Sequence, residues 1–197
     1  MLFRSITTLK RLGPCGRFGL SQEIDRVQCK GKDGIFAFKH AERDFETTSH
    51  EIELLLHAPF ATDAKARTLK VSAIVTDSRG KLRGFLSPFE RYGSLEEVFV
   101  NRRSFLVSNP ENGAGTDNVV LPRQPEWKDK LRWAAQLARV VSTLHDGCAT
   151  TGPITLRNLN PRNVLITGSA SSSSCRDTYV IIAGLRGASS QIGRAHV

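Results

Sequence analysis

Long apolar runs are missing from this chain of 197 residues. None approaches the roughly 20 residues that a membrane-spanning helix needs, and the longest, such as Tyr179 to Leu185, have strand length. No transmembrane segment is expected. Aromatic residues are scarce at 7%, and Lys and Arg never form a run of five, so the formal net charge of +9 is scattered along the chain. Such a charge suits an anionic partner, but the basic groove with interleaved aromatics of a nucleic-acid binder is weak here. A basic nucleic-acid-binding module is therefore only the third reading. The four cysteines, Cys15, Cys29, Cys148 and Cys175, show no Cys-x-x-Cys and no paired His at ligand spacing. A zinc site or a disulfide framework has little support, and free thiols in a reducing cytoplasmic or nuclear compartment are expected. No acidic residue precedes Glu23, and Arg4, Lys10 and Arg11 alternate with Leu2, Phe3, Ile6, Leu9 and Leu12. That opening suits a mitochondrial leader or a first strand. The glycine-rich turn that follows favours the strand.

What is present reads as α+β. Leu12 to Gly19 is a glycine turn between strand-like segments, and Glu23 to Cys29 and Ile35 to Lys39 flank the break Lys30-Gly31-Lys32-Asp33-Gly34, which predicts a hairpin meander. From Thr48 the period changes: Ser49 is placed as a cap, Ile52, Leu55 and Leu56 share a face, and the helix stops before Pro59. Strands Leu69 to Thr76 and Leu82 to Leu86 follow, joined by Asp77-Ser78-Arg79-Gly80, then a connector, Ser87 to Gly93, and a short helix from Ser94. Asn101 to Pro125 reads as a long surface loop. Glu126 to His145 is the clearest helix, with Leu131, Ala134, Ala135, Ala138 and Val141 and also Leu137, Val140 and Leu144 at helical spacing, and Gly147 ready to end it. Strands Asn163 to Thr167 and Tyr179 to Ile182 bracket a serine-rich tip, Gly168 to Ser174.

The order of these pieces resembles the protein kinase fold from about Leu9 to Leu185, covering the small lobe and the start of the large one. Gly16-Arg17-Phe18-Gly19 is similar to the tip of the family's phosphate-covering loop, although Gly13 and Gly16 enclose two residues where the family has one. Phe36-Ala37-Phe38-Lys39 resembles the Val-Ala-Ile-Lys strand, with Glu51 as the expected partner of Lys39. Pro88 to Gly93, including Phe89, falls at the hinge that contacts adenine. The resemblance implies ATP as ligand, with Gly13, Gly16, Phe18, Gly19, Lys39, Glu51 and Phe89 around it. The chemistry is consistent: phosphates take backbone N–H groups from a turn without Cβ obstruction and an ammonium held by a carboxylate.

The same resemblance aligns Ile154 to Asn163 with the catalytic loop His-Arg-Asp-Leu-Lys-Pro-x-Asn. Arg157, Leu159, Pro161 and Asn163 match, whereas Leu156 stands for His, Asn158 for the catalytic Asp and Asn160 for Lys. An amide is no general base. The magnesium-holding Asp is expected after the next strand, where the chain reads Ile182-Ala183-Gly184. Asn163 alone is a weak anchor for a hard cation that favours carboxylates, and Mg²⁺ binding is doubtful. Gln191 to Val197 resembles a translated sequencing adapter, so an incomplete gene model is suspected.

These residues divide as a kinase-like small lobe (1–93), a partial large lobe (94–190) and a suspected non-native tail (191–197). The expectation is a catalytically impaired kinase-like domain with weak ATP binding and a protein-binding or scaffolding role. The alternative is a divergent active serine/threonine protein kinase whose gene model is incomplete.

Overall fold

The computed structural model describes residues 3–15, 24–41, 45–57, 68–90, 92–100, 125–147, 152–168, 178–185 and 188–190. The architecture is α+β. Strands β1 (Phe3–Ser5), β2 (Leu9–Pro14), β3 (Ile24–Cys29), β4 (Ile35–His40), β5 (Ala73–Thr76) and β6 (Leu82–Pro88) form one sheet in the order β1-β5-β6-β4-β3-β2. Five of them are antiparallel neighbours; β1 pairs with β5 in parallel. The expected meander is β2-β3-β4.

The sheet order dictates a curved shape. Strands lie about 4.8 Å apart, so the edges of a flat six-stranded sheet would be roughly 24 Å apart. Yet β1 and β2 sit at opposite edges and are linked only by the 3-10 turn Ile6–Thr8, which spans about 14 Å at most. The sheet must roll until its edges approach. Inside the roll Val27, Cys29, Phe38, Ala73, Val75 and Leu86 bury one another, with Ile6 and Leu9 packed against them. The N-terminal segment thus closes the sheet, but as two strands separated by the turn Ile6–Thr8 rather than as the single first strand its sequence suggests.

Gly84 lies where β6 passes β4. Its φ is +149°, and a Cβ there would collide with the Lys39 carbonyl oxygen. Only glycine fits.

Helix α1 (Phe45–His57) crosses between β4 and β5 in sequence. It begins earlier than the expected cap at Ser49, which lies inside the helix. The reason is visible in Thr48, which is buried one turn before Ile52 and extends the packed face towards the N-terminus. The strand expected from Leu69 starts only at Ala73, because Leu69 donates its N–H to Ile182 O (2.9 Å) and so leaves the sheet for a different neighbour.

The remaining elements are α2 (Leu95–Val100), α3 (Trp127–Asp146), β7 (Ile154–Thr155), β8 (Val164–Gly168), β9 (Thr178–Ile182) and β10 (Ser189–Ser190). β8 and β9 form an antiparallel hairpin, and β7 pairs with β10. Ser94 caps α2 reciprocally with Glu97: Glu97 N–H donates to Ser94 Oγ (3.2 Å) and Ser94 N–H donates to Glu97 Oε2 (2.7 Å). Glu126 and Asp129 do the same for α3, and Gly147 ends it.

Which face of α3 is buried corrects the sequence expectation. Trp133, Val140 and Leu144 are buried and Leu137 is half-buried, but Ala134, Ala135 and Ala138 are exposed and Leu131 is 53% exposed. Trp133 decides the orientation: it fills the space beside Val164, Ile166 and Val180, and its indole N–H donates to Thr178 Oγ1 (3.2 Å). Gln136 accepts the Val180 N–H (3.1 Å) on the same side. One large ring with a satisfied donor outweighs three methyl groups.

The principal core joins both halves of the chain. Ile52, Leu54 and Leu55 of α1, Phe85 of β6, Val140 and Leu144 of α3, and Ile154, Ile182 and Leu185 belong to one buried cluster. Among the described residues no helix is long and apolar enough to cross a membrane.

Candidate functional site

Alternation along β4 turns Ala37 and Lys39 away from the interior of the roll, towards α1. Lys39 Nζ donates to both oxygens of Glu51, at 2.9 Å to Oε1 and 2.6 Å to Oε2. Glu51 is only 1% exposed. Its Oε1 also accepts the buried backbone N–H of Leu185 at 3.1 Å. A carboxylate withdrawn from water is expensive unless its lone pairs are filled; here an ammonium and an amide fill them. The ammonium also lies 6.0 Å from the centre of the Phe85 ring. The pair is therefore held by three elements: a strand, a helix and the segment after β9.

The loop between β7 and β8 is fixed by its own amides. Asn160 caps the turn Pro161–Asn163, its Oδ1 accepting from Arg162 N–H (2.9 Å) and Asn163 N–H (3.2 Å). Its Nδ2 donates to Asn158 Oδ1 (2.6 Å), while Asn163 Nδ2 donates to the Asn158 carbonyl (2.8 Å). Arg162 Nε meets Glu96 Oε2 at 2.6 Å on the surface, tying the loop to α2. Arg157 and Asn158 are exposed, and Leu156 packs against the principal core.

Asn163 lies beside the segment after β9. Its carbonyl accepts the Ala183 N–H (2.8 Å), and its side chain lies 3.1 Å from where a Gly184 Cβ would stand. Asn163 and the Ile182-Ala183-Gly184 segment are thus adjacent. Neither contributes a carboxylate, and the described residues contain no group of three or more His, Cys, Asp or Glu able to hold a metal ion.

Just after β6, Phe89 N–H donates to Ile35 O (3.3 Å) and Phe89 is half-buried. Next to it, burial raises the Glu90 carboxyl above its ordinary range, and a hydrogen bond with Thr167 opposes that shift. At the other end of the sheet, burial pushes the Cys15 thiol up to about 12; the Arg26 guanidinium works against this, while Asp25 and Glu97 reinforce it.

Of the site residues read from the sequence, Lys39 and Glu51 meet as expected, and Asn158 and Asn163 share one hydrogen-bonded loop with Asn160. Gly13 lies one residue before the end of β2 with φ +131°, just after a register shift between Arg11 and Gly13. Gly16, Phe18 and Gly19 lie outside the described residues, as do the loop 101–124 and the tail 191–197. Leu185 and Arg26 carry no sequence signal of their own. The Leu185 contact comes from a backbone N–H, which side-chain chemistry cannot signal, and the Arg26 position follows from strand register.

No family model matches the chain, and no curated protein matches it in sequence.

Proposed function

We propose that this chain is a protein kinase-like domain that has lost phosphotransfer chemistry, binds a nucleotide weakly and acts as a binding or scaffolding module. The observation that carries the reading is the Lys39–Glu51 pair, made between a strand and a helix at 2.6–2.9 Å and locked to Leu185. An ammonium held in this manner is suited to an ATP phosphate. Asn158 argues for the loss of chemistry, because an amide accepts a hydrogen bond without taking a proton. The neutral Ile182-Ala183-Gly184 segment beside Asn163 argues in the same direction, because Mg²⁺ prefers carboxylate oxygens. Loss of a general base alone costs roughly 10²–10⁴ in rate. Loss of the metal anchor as well removes the charge neutralisation on which phosphoryl transfer depends.

The test is transfer of radiolabelled phosphate from ATP to the chain itself and to a generic protein substrate, with Lys39→Arg as control. That variant keeps a cation against Glu51 and alters only the donor geometry. Wild type and variant are expected to be equally silent. Transfer by the wild type that Lys39→Arg removes would establish the alternative, a divergent serine/threonine-type kinase that recruits another acid.

A further inference from the structure

Arg26 of β3 stands opposite Gly13 on one neighbouring strand and opposite Ala37 on the other. Both neighbours are small, which leaves room for a guanidinium over this face of the sheet. A Cβ on Gly13 would come within 3.8 Å of Arg26 Nη2, so the guanidinium reaches across β2. Lys39 lies two residues beyond Ala37 on the same face, diagonal to Arg26, where side chains start about 7–8 Å apart.

The two cations differ in one respect. Lys39 is neutralised by Glu51. Arg26 forms no ion pair among the described residues, and its buried Nε has no hydrogen-bond acceptor. The nearby carboxylates are committed elsewhere. Asp25 projects from the opposite face to Arg11 (2.8 Å) and His40 (2.9 Å). Glu97 accepts from the Ser94 N–H and hydroxyl. A partly desolvated guanidinium whose Nε lacks an acceptor is unfavourable by itself and is relieved by an anion. Its planar fork of donors matches phosphate oxygens.

We infer that Arg26, together with Lys39, forms a metal-independent site for the phosphate groups of a nucleotide. The inference rests on the nucleotide-binding reading above and extends it. Arg26 supplies the positive charge that the carboxylate-free Asn163 and Ala183 region has no means of recruiting as Mg²⁺.

The test is calorimetric titration in EDTA with three probes: sodium tripolyphosphate, ATP and adenosine. Wild type is expected to bind tripolyphosphate and ATP without metal. Arg26→Gln is expected to weaken both at least tenfold and to leave adenosine unchanged. A second variant, Ala37→Glu, offers Arg26 a carboxylate from directly across the register; it is expected to abolish tripolyphosphate binding and raise the melting temperature, and it decides the matter should Arg26→Gln fail to fold. Unchanged tripolyphosphate and ATP affinity in the variants, or no binding in EDTA, would overturn the site. ATP binding that persists with no contribution from Arg26 would overturn it while sparing the nucleotide reading. Arg26-dependent binding of tripolyphosphate with no gain from adenosine would establish the site and defeat that reading.

Discussion

Glu51 Oε1 accepts the N–H of Leu185 at 3.1 Å while the same carboxylate holds Lys39, so one buried side chain joins residues separated by 134 positions. This contact couples α1 to the segment after β9. The Lys39–Glu51 pair is therefore structural as well as a candidate ligand contact.

Breaking the pair from one side should be costly. Lys39→Met leaves the carboxylate of Glu51 buried and uncompensated, and is expected to destabilise the protein by about 3–5 kcal/mol. In the double variant Lys39→Met with Glu51→Leu no charge is stranded, and only the Leu185 N–H loses its acceptor, at about 1–3 kcal/mol. Urea denaturation should find the double variant more stable than the Lys39→Met single variant. Additive losses would show that the two side chains act independently.

Glu90 gives the protein a pH signature. Burial raises its carboxyl above the ordinary value of 4.5, more than the Thr167 hydrogen bond lowers it. Between 4.5 and that higher native value the folded state keeps a proton that the unfolded state has released. Stability contributed at this position is therefore full below 4.5 and falls as pH rises through the native value. Glu90→Gln should raise the urea midpoint at pH 7 and lose that advantage as pH drops below 4.5. An advantage independent of pH would assign the effect to something other than ionisation.

Gly84→Ala tests the tight passage of β6 over β4. The substitution combines an unfavourable φ of +149° with a collision against the Lys39 carbonyl oxygen. Strain of about 1–3 kcal/mol and overpacking of about 1–3 kcal/mol should together lower stability by roughly 2–6 kcal/mol. Because the obstructed carbonyl belongs to Lys39, the loss should come with displacement of the ammonium from Glu51. The nearby Gly80→Ala, with φ +76° but nothing within 4 Å of its Cβ, should cost only the strain.

How far the sequence could be read depends on whether a feature is local. The periods of one strand and one helix place Lys39 and Glu51 on their elements, but the pairing itself was expected only from the resemblance of Phe36-Ala37-Phe38-Lys39 to a kinase strand. That Asn158 carries an amide and no carboxylate is plain from the sequence, because it is a property of one position. The loop's internal bracing is not: Asn160 reads as a lost lysine, and only the folded turn reveals it as the cap that organises Arg162 and Asn163. The face of α3 was misread because helical spacing weighs alanine and tryptophan alike, whereas packing follows area, and Trp133 carries far more of it. The parallel β1–β5 pairing joins positions about 70 residues apart and has no local sequence signal.

The central claim is that Lys39 and Arg26 offer cations to a nucleotide while Asn163 and the Ile182-Ala183-Gly184 segment offer no carboxylate to a metal. Calorimetric titration of ATP against the protein, in excess Mg²⁺ and in EDTA, addresses it directly. The account predicts weak binding of similar strength in both conditions. Tight binding that appears only with Mg²⁺ would contradict it.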